Sequence, residues 1–272
     1  MTGTSMTSAS AASRSAPALI GRSILSVPTR AQALAVKARR AHWSVTSPLQ
    51  MSAPSHERHR RRGHDLLNDV TTEISPAPWR SSVDALLWLH PAARAARGLL
   101  PPQLSARAGM PVTIGGLISY RDGPVGPYGE VFGAPVMLRE ASMLSHIPFM
   151  AVDSAVSVAG GRGNWALPKE LADFDGDPGR PGAVTARGDG WELRITTTAR
   201  ARQLPMTMTM RAAQVWADGQ VRTFSVRMCG RARLARAEVE HLAASPLADW
   251  LVEGRHHAVL VSGRQDVSPP SP

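Results

Sequence analysis

Apolar and polar residues alternate along much of the chain after residue 110, and a period of two predicts β-strands. Turn residues separate the alternating segments. Gly188-Asp189-Gly190 and Asp218-Gly219 are typical of tight hairpin turns, because their glycines readily adopt positive φ angles. The expected strands cover residues 111–120, 130–138, 150–158, 183–187, 191–198, 206–216, 221–228 and 256–262.

Helices are expected in only two places. One covers residues 91–99, follows the apolar run at 83–89 and ends before two prolines, and the other covers residues 232–243 by composition. We therefore predict a mainly β (α+β) fold, in which a single domain over residues 76–265 combines an antiparallel sheet with a few flanking helices. Residues 266–272 are expected to form a disordered tail.

Residues 1–75 differ in composition from the rest of the chain. They are rich in Ser, Ala, Thr, Arg and Pro, contain no acidic residue before Glu57, and lack periodic apolar residues, so we expect a disordered basic leader. Three roles stay open: a targeting leader, a basic arm for nucleic acid or membrane, or an extension upstream of a true start at Met51. We favour the last.

Composition narrows the class of protein. The formal net charge is +10, but residues 1–78 hold 10 Lys or Arg and 4 Asp or Glu, so most of the excess lies in the leader. The basic cluster at 56–64 has no interleaved aromatic residues, which argues against a nucleic-acid partner. The single Cys229 excludes an intrachain disulfide and favours a reducing, cytoplasmic location. No apolar run is long enough for a membrane span, and the nine histidines form no metal-ligand pattern.

One lysine stands out because the chain otherwise uses arginine for positive charge. Of its 31 Lys and Arg residues, only Lys37 and Lys169 are lysines, and Lys37 lies in the leader. A guanidinium stays protonated and is a poor nucleophile, whereas an amine can lose its proton and attack a carbonyl to form a Schiff base. We therefore take Lys169 as a candidate covalent catalyst.

Two segments carry the remaining candidate chemistry. The first, Pro124-Val-Gly-Pro-Tyr-Gly-Glu130, contains Tyr128 and ends in a carboxylate at the mouth of a predicted strand. The second, residues 160–172, contains glycines that allow sharp turns, an apolar wall that includes Trp165, and Pro168 directly before Lys169.

Together these segments resemble the acetoacetate decarboxylase superfamily, in both their residues and the interval between them. The resemblance covers about residues 76–265. It implies a cone-like, barrel-related antiparallel β-structure around a deep apolar cavity, without metal or organic cofactor, and assembly into homo-oligomers. It also implies that Lys169 is the Schiff-base lysine and Glu130 the active-site glutamate. Acetoacetate decarboxylase is itself a known example of an activated lysine, so this role comes from the family.

The chain departs from the decarboxylases at two informative positions. Glu170 stands where they have a second lysine, and Gly163 stands where they have a glutamate after the Gly-Arg pair. Three functions therefore stay open. The chain is a decarboxylase-like lyase that acts on a β-keto or other oxo acid, an imine-dependent aldolase or dehydratase, or a ligand-binding protein without catalysis.

The remaining site predictions concern what surrounds the amine. Adjacent strand residues point to opposite faces, so Glu170 should point away from Lys169. Burial against Trp165 and methionines such as Met208 should then lower the pKa of the lysine. We expect Glu130 to move protons, Tyr128 to orient the substrate and Arg162 to hold its carboxylate.

Overall fold

The computed structural model describes residues 74–105, 112–139, 142–243 and 246–272. Within these ranges it contains twelve β-strands and little helix. The strands are β1 (Trp79–Pro91), β2 (Val112–Tyr120), β3 (Tyr128–Arg139), β4 (Ser142–Ser145), β5 (Phe149–Val152), β6 (Lys169–Leu171), β7 (Asp173–Asp175), β8 (Gly182–Gly188), β9 (Trp191–Ala199), β10 (Leu204–Val215), β11 (Val221–His241) and β12 (Gly254–Val267). The α-helices are α1 (Pro102–Ser105) and α2 (Ala155–Trp165), and 3₁₀ turns cover Ala95–Leu99 and Pro246–Asp249.

The sheet closes on itself through β10. Its strands follow the order β10-β4-β3-β2-β1-β12-β11-β9-β8-β7, and β10 pairs with β11 along its whole length as well as with β4. Nearly all of the pairs are antiparallel, and the exceptions are the short contacts of β4 with β10 and of β5 with β6. The predicted mainly β, antiparallel, barrel-like domain is thereby confirmed.

The apolar run at 83–89 lies in β1 and contributes side chains to two hydrophobic cores. The side chains of Val83, Ala85 and Leu87 pack into a core on one face of the sheet, together with β2, β3 and β12. Leu86 and Trp88 point to the other face and pack against β9 and the turn at Pro246–Asp249. The run is buried on both faces because each face contributes to one of these two cores, which explains its continuous hydrophobicity.

Both predicted hairpins are present. Gly188-Asp189-Gly190 joins β8 to β9, and Asp218-Gly219 joins β10 to β11. Gly190 and Gly219 have φ angles of 75° and 76°, as tight turns between antiparallel strands require.

Two of the predicted elements are wrong in type. Residues 232–243 were expected to be helical, but they extend β11 to His241, because β9 and β12 pair with this segment from both sides. Tertiary pairing therefore overrides its Ala-rich and Arg-rich composition. The strand expected over 150–158 ends at Val152, since Ser154 caps α2 by accepting a hydrogen bond from the backbone N–H of Ser157.

Two predicted boundaries also need correction. The helix expected over 91–99 is reduced to the 3₁₀ turn at Ala95–Leu99, because β1 continues to Pro91. The tail expected to be disordered over 266–272 is bound to the sheet, where Ser268 and Ser271 exchange backbone hydrogen bonds with β11. The predictions for the leader at 1–75 fall, apart from residues 74 and 75, outside the described residues. No helix in the described ranges is long and apolar enough to cross a bilayer.

Candidate active site

Lys169 lies at the start of β6, where its side chain enters the core beneath α2. β6 pairs in parallel with β5, and Lys169 lies opposite Met150. Helix α2 ends at Trp165, and Ala166 adopts a left-handed conformation that turns the chain back toward β6. The lysine side chain is only 3% exposed. A charged amine is seldom buried so deeply without partners, so the groups around it matter.

The amine of Lys169 is held by three polar side chains from two elements, β3 and α2. Its Nζ donates hydrogen bonds to Glu130 Oε2 on β3 at 2.9 Å and to Ser157 Oγ on α2 at 2.9 Å. The hydroxyl of Tyr128 accepts a longer bond at 3.5 Å. The contact with Glu130 is a buried ion pair, because both side chains are only 3% exposed. An ammonium has three protons to donate, and this arrangement gives each of them an acceptor.

A second group of side chains positions the carboxylate. Tyr120 donates its hydroxyl proton to Glu130 Oε1 at 3.2 Å, and Gln265 Nε2 donates to the Tyr120 hydroxyl at 2.8 Å. The rings of Tyr120 and Tyr128 stack at 4.1 Å between centroids. Adjacent strands provide these residues, since Tyr120 lies opposite Tyr128 in the pairing of β2 with β3. Each oxygen of Glu130 therefore has a defined partner.

The electrostatics of the cluster favour the ion pair in the resting protein. Burial by itself lowers the pKa of Lys169, but the negative charge of Glu130 and the hydrogen bonds to Glu130 and Tyr128 outweigh it, and the pKa lies above its usual value. The sequence-based expectation of a lowered pKa is therefore wrong for this state, because it left out the carboxylate. Burial raises the pKa of both tyrosines, well above the usual value for Tyr120, so both phenols stay protonated near neutral pH.

A cavity of about 70 Å³ reaches this cluster. Glu130, Tyr128, Tyr120 and Lys169 form its polar end, and most of the other lining side chains are apolar. The larger apolar residues of the lining are Trp79, Leu87, Ile114, Ile118, Phe132, Ile147, Met150, Trp165, Leu167, Met208, Met210, Phe224 and Met228. In the described part of the chain, Lys169 is the one basic side chain that lines this cavity. The site therefore combines a single polar end with apolar walls.

The structure brings five of the six predicted site residues together around the cavity. They are Lys169, Glu130, Tyr128, Trp165 and Met208. Arg162 is the exception. It is exposed on α2, donates its Nε proton to the backbone oxygen of Lys169 at 2.8 Å, and does not line the cavity.

The predicted direction of Glu170 agrees with the structure. Its Oε1 accepts a hydrogen bond from Trp191 Nε1 at 2.8 Å, away from the amine of Lys169. The alternation of side chains along a strand therefore separates the two charges in β6.

Three residues of the cluster were not predicted as site residues. Ser157 and Gln265 lie 12 and 96 positions from Lys169, and no local pattern connects them with it. Tyr120 gave a weak signal, because it and Tyr128 are the two tyrosines of the chain and lie in the same segment. The feature that identifies Ser157 is its burial next to the predicted nucleophile. Burial of a single serine cannot be seen in the sequence and becomes visible only in the fold.

Gly161 provides the space that the lysine side chain occupies. A Cβ atom at this position would lie 2.6 Å from Lys169 Cδ and 2.8 Å from Cε. We expect Gly161→Ala to displace the amine by a fraction of an ångström or more. The displacement should slow covalent labelling of Lys169 by a carbonyl compound by up to about 10²-fold. Labelling kinetics under borohydride reduction would measure this effect.

The matched control for this prediction is Gly163→Ala in the same helix. A Cβ atom there would meet only the Ile74 side chain, at 3.2 Å. Both substitutions add the same methyl group to α2, but only the one at Gly161 touches the lysine. Equal labelling rates in the two variants would contradict the proposed packing role of Gly161.

The described residues contain no cluster of three or more His, Cys, Asp or Glu side chains that is arranged to hold a metal ion. The model of the acetoacetate decarboxylase (ADC) family matches residues 71–252. This chain belongs to the acetoacetate decarboxylase family. Family membership indicates an enzyme of the acetoacetate decarboxylase-like superfamily.

The chain is similar in fold to solved structures at low sequence identity. An acetoacetate decarboxylase-like enzyme from Sphingomonas wittichii RW1 is 15% identical over 73% of this chain and 93% of its own, with a TM-score of 0.51. The enduracididine biosynthesis enzyme MppR, complexed with pyruvate, is 15% identical over 74% of this chain and 92% of its own, with a TM-score of 0.50. An acetoacetate decarboxylase from Legionella pneumophila is 14% identical over 71% and 86%, with a TM-score of 0.49. No curated protein sequence matches the chain.

Proposed function

We propose that this acetoacetate decarboxylase family member is a lyase that forms a Schiff base between Lys169 and the carbonyl carbon of an oxo acid. The observation that carries the proposal is the buried amine of Lys169 at the polar end of an apolar cavity, 2.9 Å from the carboxylate of Glu130. An amine so placed can reach a ligand in the cavity, and a base lies within hydrogen-bonding distance of it.

Glu130 removes the obstacle to nucleophilic attack. An ammonium has no lone pair, so one proton of Lys169 must leave before the amine reacts. Transfer of that proton to Glu130 converts the ion pair into two neutral groups. A substrate that displaces water from the apolar cavity strengthens the desolvation of both charges and so favours this transfer.

The proton then completes imine formation without any other co-reactant. The nitrogen of Lys169 forms a bond to the carbonyl carbon as the C=O π bond breaks. The oxygen takes up the proton from the nitrogen and the proton held by Glu130, and leaves as water. The product is a protonated imine beside the Glu130 carboxylate, so the charge of the resting ion pair is restored. Tyr128, 3.5 Å from Nζ, is placed to donate to the departing oxygen.

The protonated imine accepts electrons from a neighbouring C–C or C–H bond. Loss of CO2 from a β-keto acid gives a decarboxylase, whereas aldol cleavage or dehydration uses the same enamine. A specific observation keeps the aldolase or dehydratase alternative in place. No described arginine lines the cavity near Lys169, and the position after the lysine is Glu170, which points away. The carboxylate of a β-keto acid, one carbon from the reacting carbonyl, therefore has no described cation there except Lys169, whereas aldol cleavage or dehydration needs no carboxylate at that place.

Reductive trapping tests the proposal. The full chain is incubated with acetoacetate or pyruvate, reduced with borohydride and digested, and the modified peptide is identified by mass. We expect an adduct on Lys169, and CO2 release from acetoacetate then separates a decarboxylase from other lyases. Absence of any adduct on Lys169 with a panel of ketones and aldehydes would overturn the proposal and favour a ligand-binding protein without catalysis.

A further inference from the structure

A second concavity, of about 640 Å³, opens beside the cavity that contains Lys169. We call it the outer groove and define it by Leu89, Ile114, Arg200, Leu234, Arg236 and His257. Leu87, Ile114 and Met208 line both the cavity and the outer groove. The two spaces are therefore separated by no more than the thickness of these side chains.

Strand register puts the outer groove on the same face of the sheet as the cavity. Leu89 lies opposite both Ile114 of β2 and His257 of β12, and His257 lies opposite Arg236 of β11. Side chains two residues apart on a strand share a face, so Leu89 follows Leu87 and Arg236 continues the row that begins with the cavity residue Met228. The outer groove is thus an extension of the cavity wall.

Strand geometry gives the distance along β2 from the row of the polar cluster to the nearest row of the outer groove. Ile118 lies opposite Glu130, and Ile114 is four positions along the same strand. At about 3.3 Å per residue the two rows are about 13 Å apart. The intervening wall is apolar and includes Leu87 and Met208. A ligand that spans this distance would meet no charge between its two ends.

The far end of the outer groove is positively charged. Arg200 and Arg236 line it together with His257, and no acidic residue does so in the described part of the chain. Neither arginine is paired with a carboxylate among the described residues, whereas Arg187 and Arg255 of the neighbouring strands are paired. Arg200 and Arg236 are exposed and lie near exposed leucines, since Leu89 and Leu234 are 54% and 61% exposed.

We propose that the substrate is a medium-chain oxo acid whose carbonyl reacts at Lys169 and whose carboxylate, at the other end of an apolar chain, binds Arg200 and Arg236. This inference rests on the proposed function, because it names the substrate class of the same site. The cavity offers its single cation to the carbonyl end, and the outer groove offers two further cations, unpaired with any described carboxylate, in or beside the row of Ile114.

The charge of the outer groove decides between this occupant and a protein partner. Contacts with a second copy of the chain would bury Leu89 and Leu234, but they would also bury Arg200 and Arg236, which have no acidic counterpart in the lining. A small anion at the end of an apolar chain matches both features. The outer groove also shares apolar side chains with the cavity that contains Lys169, and an apolar ligand chain would contact them in both spaces.

Calorimetry with ligands that form no imine tests the groove independently of the chemistry. A series of saturated fatty acids from butyrate to dodecanoate is titrated into the full chain. Each buried methylene is expected to tighten binding by about twofold to fourfold until the chain fills the cavity and groove, after which the gain stops. The methyl ester of decanoate is expected to bind several-fold more weakly than decanoate.

Variants of the groove then locate the anionic end. Arg200→Ala/Arg236→Ala is expected to weaken decanoate binding by about tenfold, since each exposed ion pair contributes modestly. The matched control is Arg227→Ala, an exposed arginine on the opposite face of β11. Borohydride trapping of butanal on Lys169 should be unchanged in both variants, while trapping of ω-oxodecanoate should require higher ligand concentrations only in the double variant.

The outcomes separate the two proposals. Trapping of butanal without chain-length-dependent binding of fatty acids would overturn the groove proposal and leave the lyase proposal standing. Binding of decanoate that depends on Arg200 and Arg236, without any trapping, would uphold the groove as an anion-ended site and overturn the Schiff base. A change of oligomeric state in the double variant, measured by sedimentation, with unchanged decanoate affinity would identify the groove as an interface and overturn the proposal.

Discussion

Replacing Lys169 by arginine is expected to lower the rate at which acetoacetate or pyruvate labels the chain in the presence of borohydride by at least about 10³-fold, to background. Arginine keeps a positive charge beside Glu130 and has three or more donors for the surrounding acceptors. The buried pair therefore still consists of one cation and one anion. Its guanidinium does not lose a proton in proteins and therefore cannot attack a carbonyl. The substitution removes the nucleophile while it keeps the electrostatics.

The chain provides an unusually clean control for this experiment. Lys37 is its only other lysine, so Lys37→Arg removes the only competing side-chain amine. We expect Lys37→Arg to label at the rate of the parent chain and to give the same adduct peptide. Thermal unfolding of Lys169→Arg would verify that the variant is folded. An adduct of undiminished rate in a folded Lys169→Arg chain would contradict the assignment of the nucleophile.

The fold was predictable where local sequence alone determines the structure. Asp218-Gly219 and Gly188-Asp189-Gly190 predict their hairpins, because few residues adopt the required φ angles and the flanking segments alternate. Residues 232–243 were mispredicted, since the length of β11 depends on β9 and β12, which lie elsewhere in the sequence. A strand that is stabilised by distant neighbours leaves little trace in its own composition.

The candidate site was predictable to the extent that the sequence motifs contain it. Lys169, Glu130 and Tyr128 lie in the two segments that resemble the family, and the structure brings their side chains together. Ser157 was assigned to a strand, and only the formation of α2 turns its hydroxyl toward the amine. Arg162 has the right chemistry for a carboxylate, but its place on the outer face of α2 directs it to the backbone of β6.

The pKa of Lys169 shows why a motif cannot give the charge state. Apolar neighbours such as Trp165 and Met208 are visible in the sequence and argue for an amine with a lowered pKa. The sequence does not reveal that Glu130 lies 2.9 Å from Nζ, and that distance reverses the direction of the shift. The resting site is therefore an ion pair, and the proposed reaction requires the amine to lose a proton first.

Breaking this ion pair is expected to have a large effect on stability. Lys169→Met leaves the Glu130 carboxylate buried without its cation, and Glu130→Gln leaves the ammonium without its anion. Each single change should lower the free energy of unfolding by about 3–5 kcal/mol. The double variant Lys169→Met/Glu130→Gln has no uncompensated charge, and its loss should be well below the sum of the two. Urea unfolding of the full chain at neutral pH would measure all three.

The surface pair of Arg187 and Glu192, 2.8 Å apart, is the matched control, and Arg187→Ala should lower the free energy of unfolding by less than about 1 kcal/mol. The effect of Lys169→Met should also depend on pH in one direction. Because the folded pKa of Lys169 is raised, its contribution is fully present below the unfolded value of about 10.4 and is lost as pH rises through the folded value. Two results would contradict a charged pair in the resting protein. One is a double variant whose loss of unfolding free energy equals the sum of the two single losses, and the other is a loss for Lys169→Met that grows at alkaline pH.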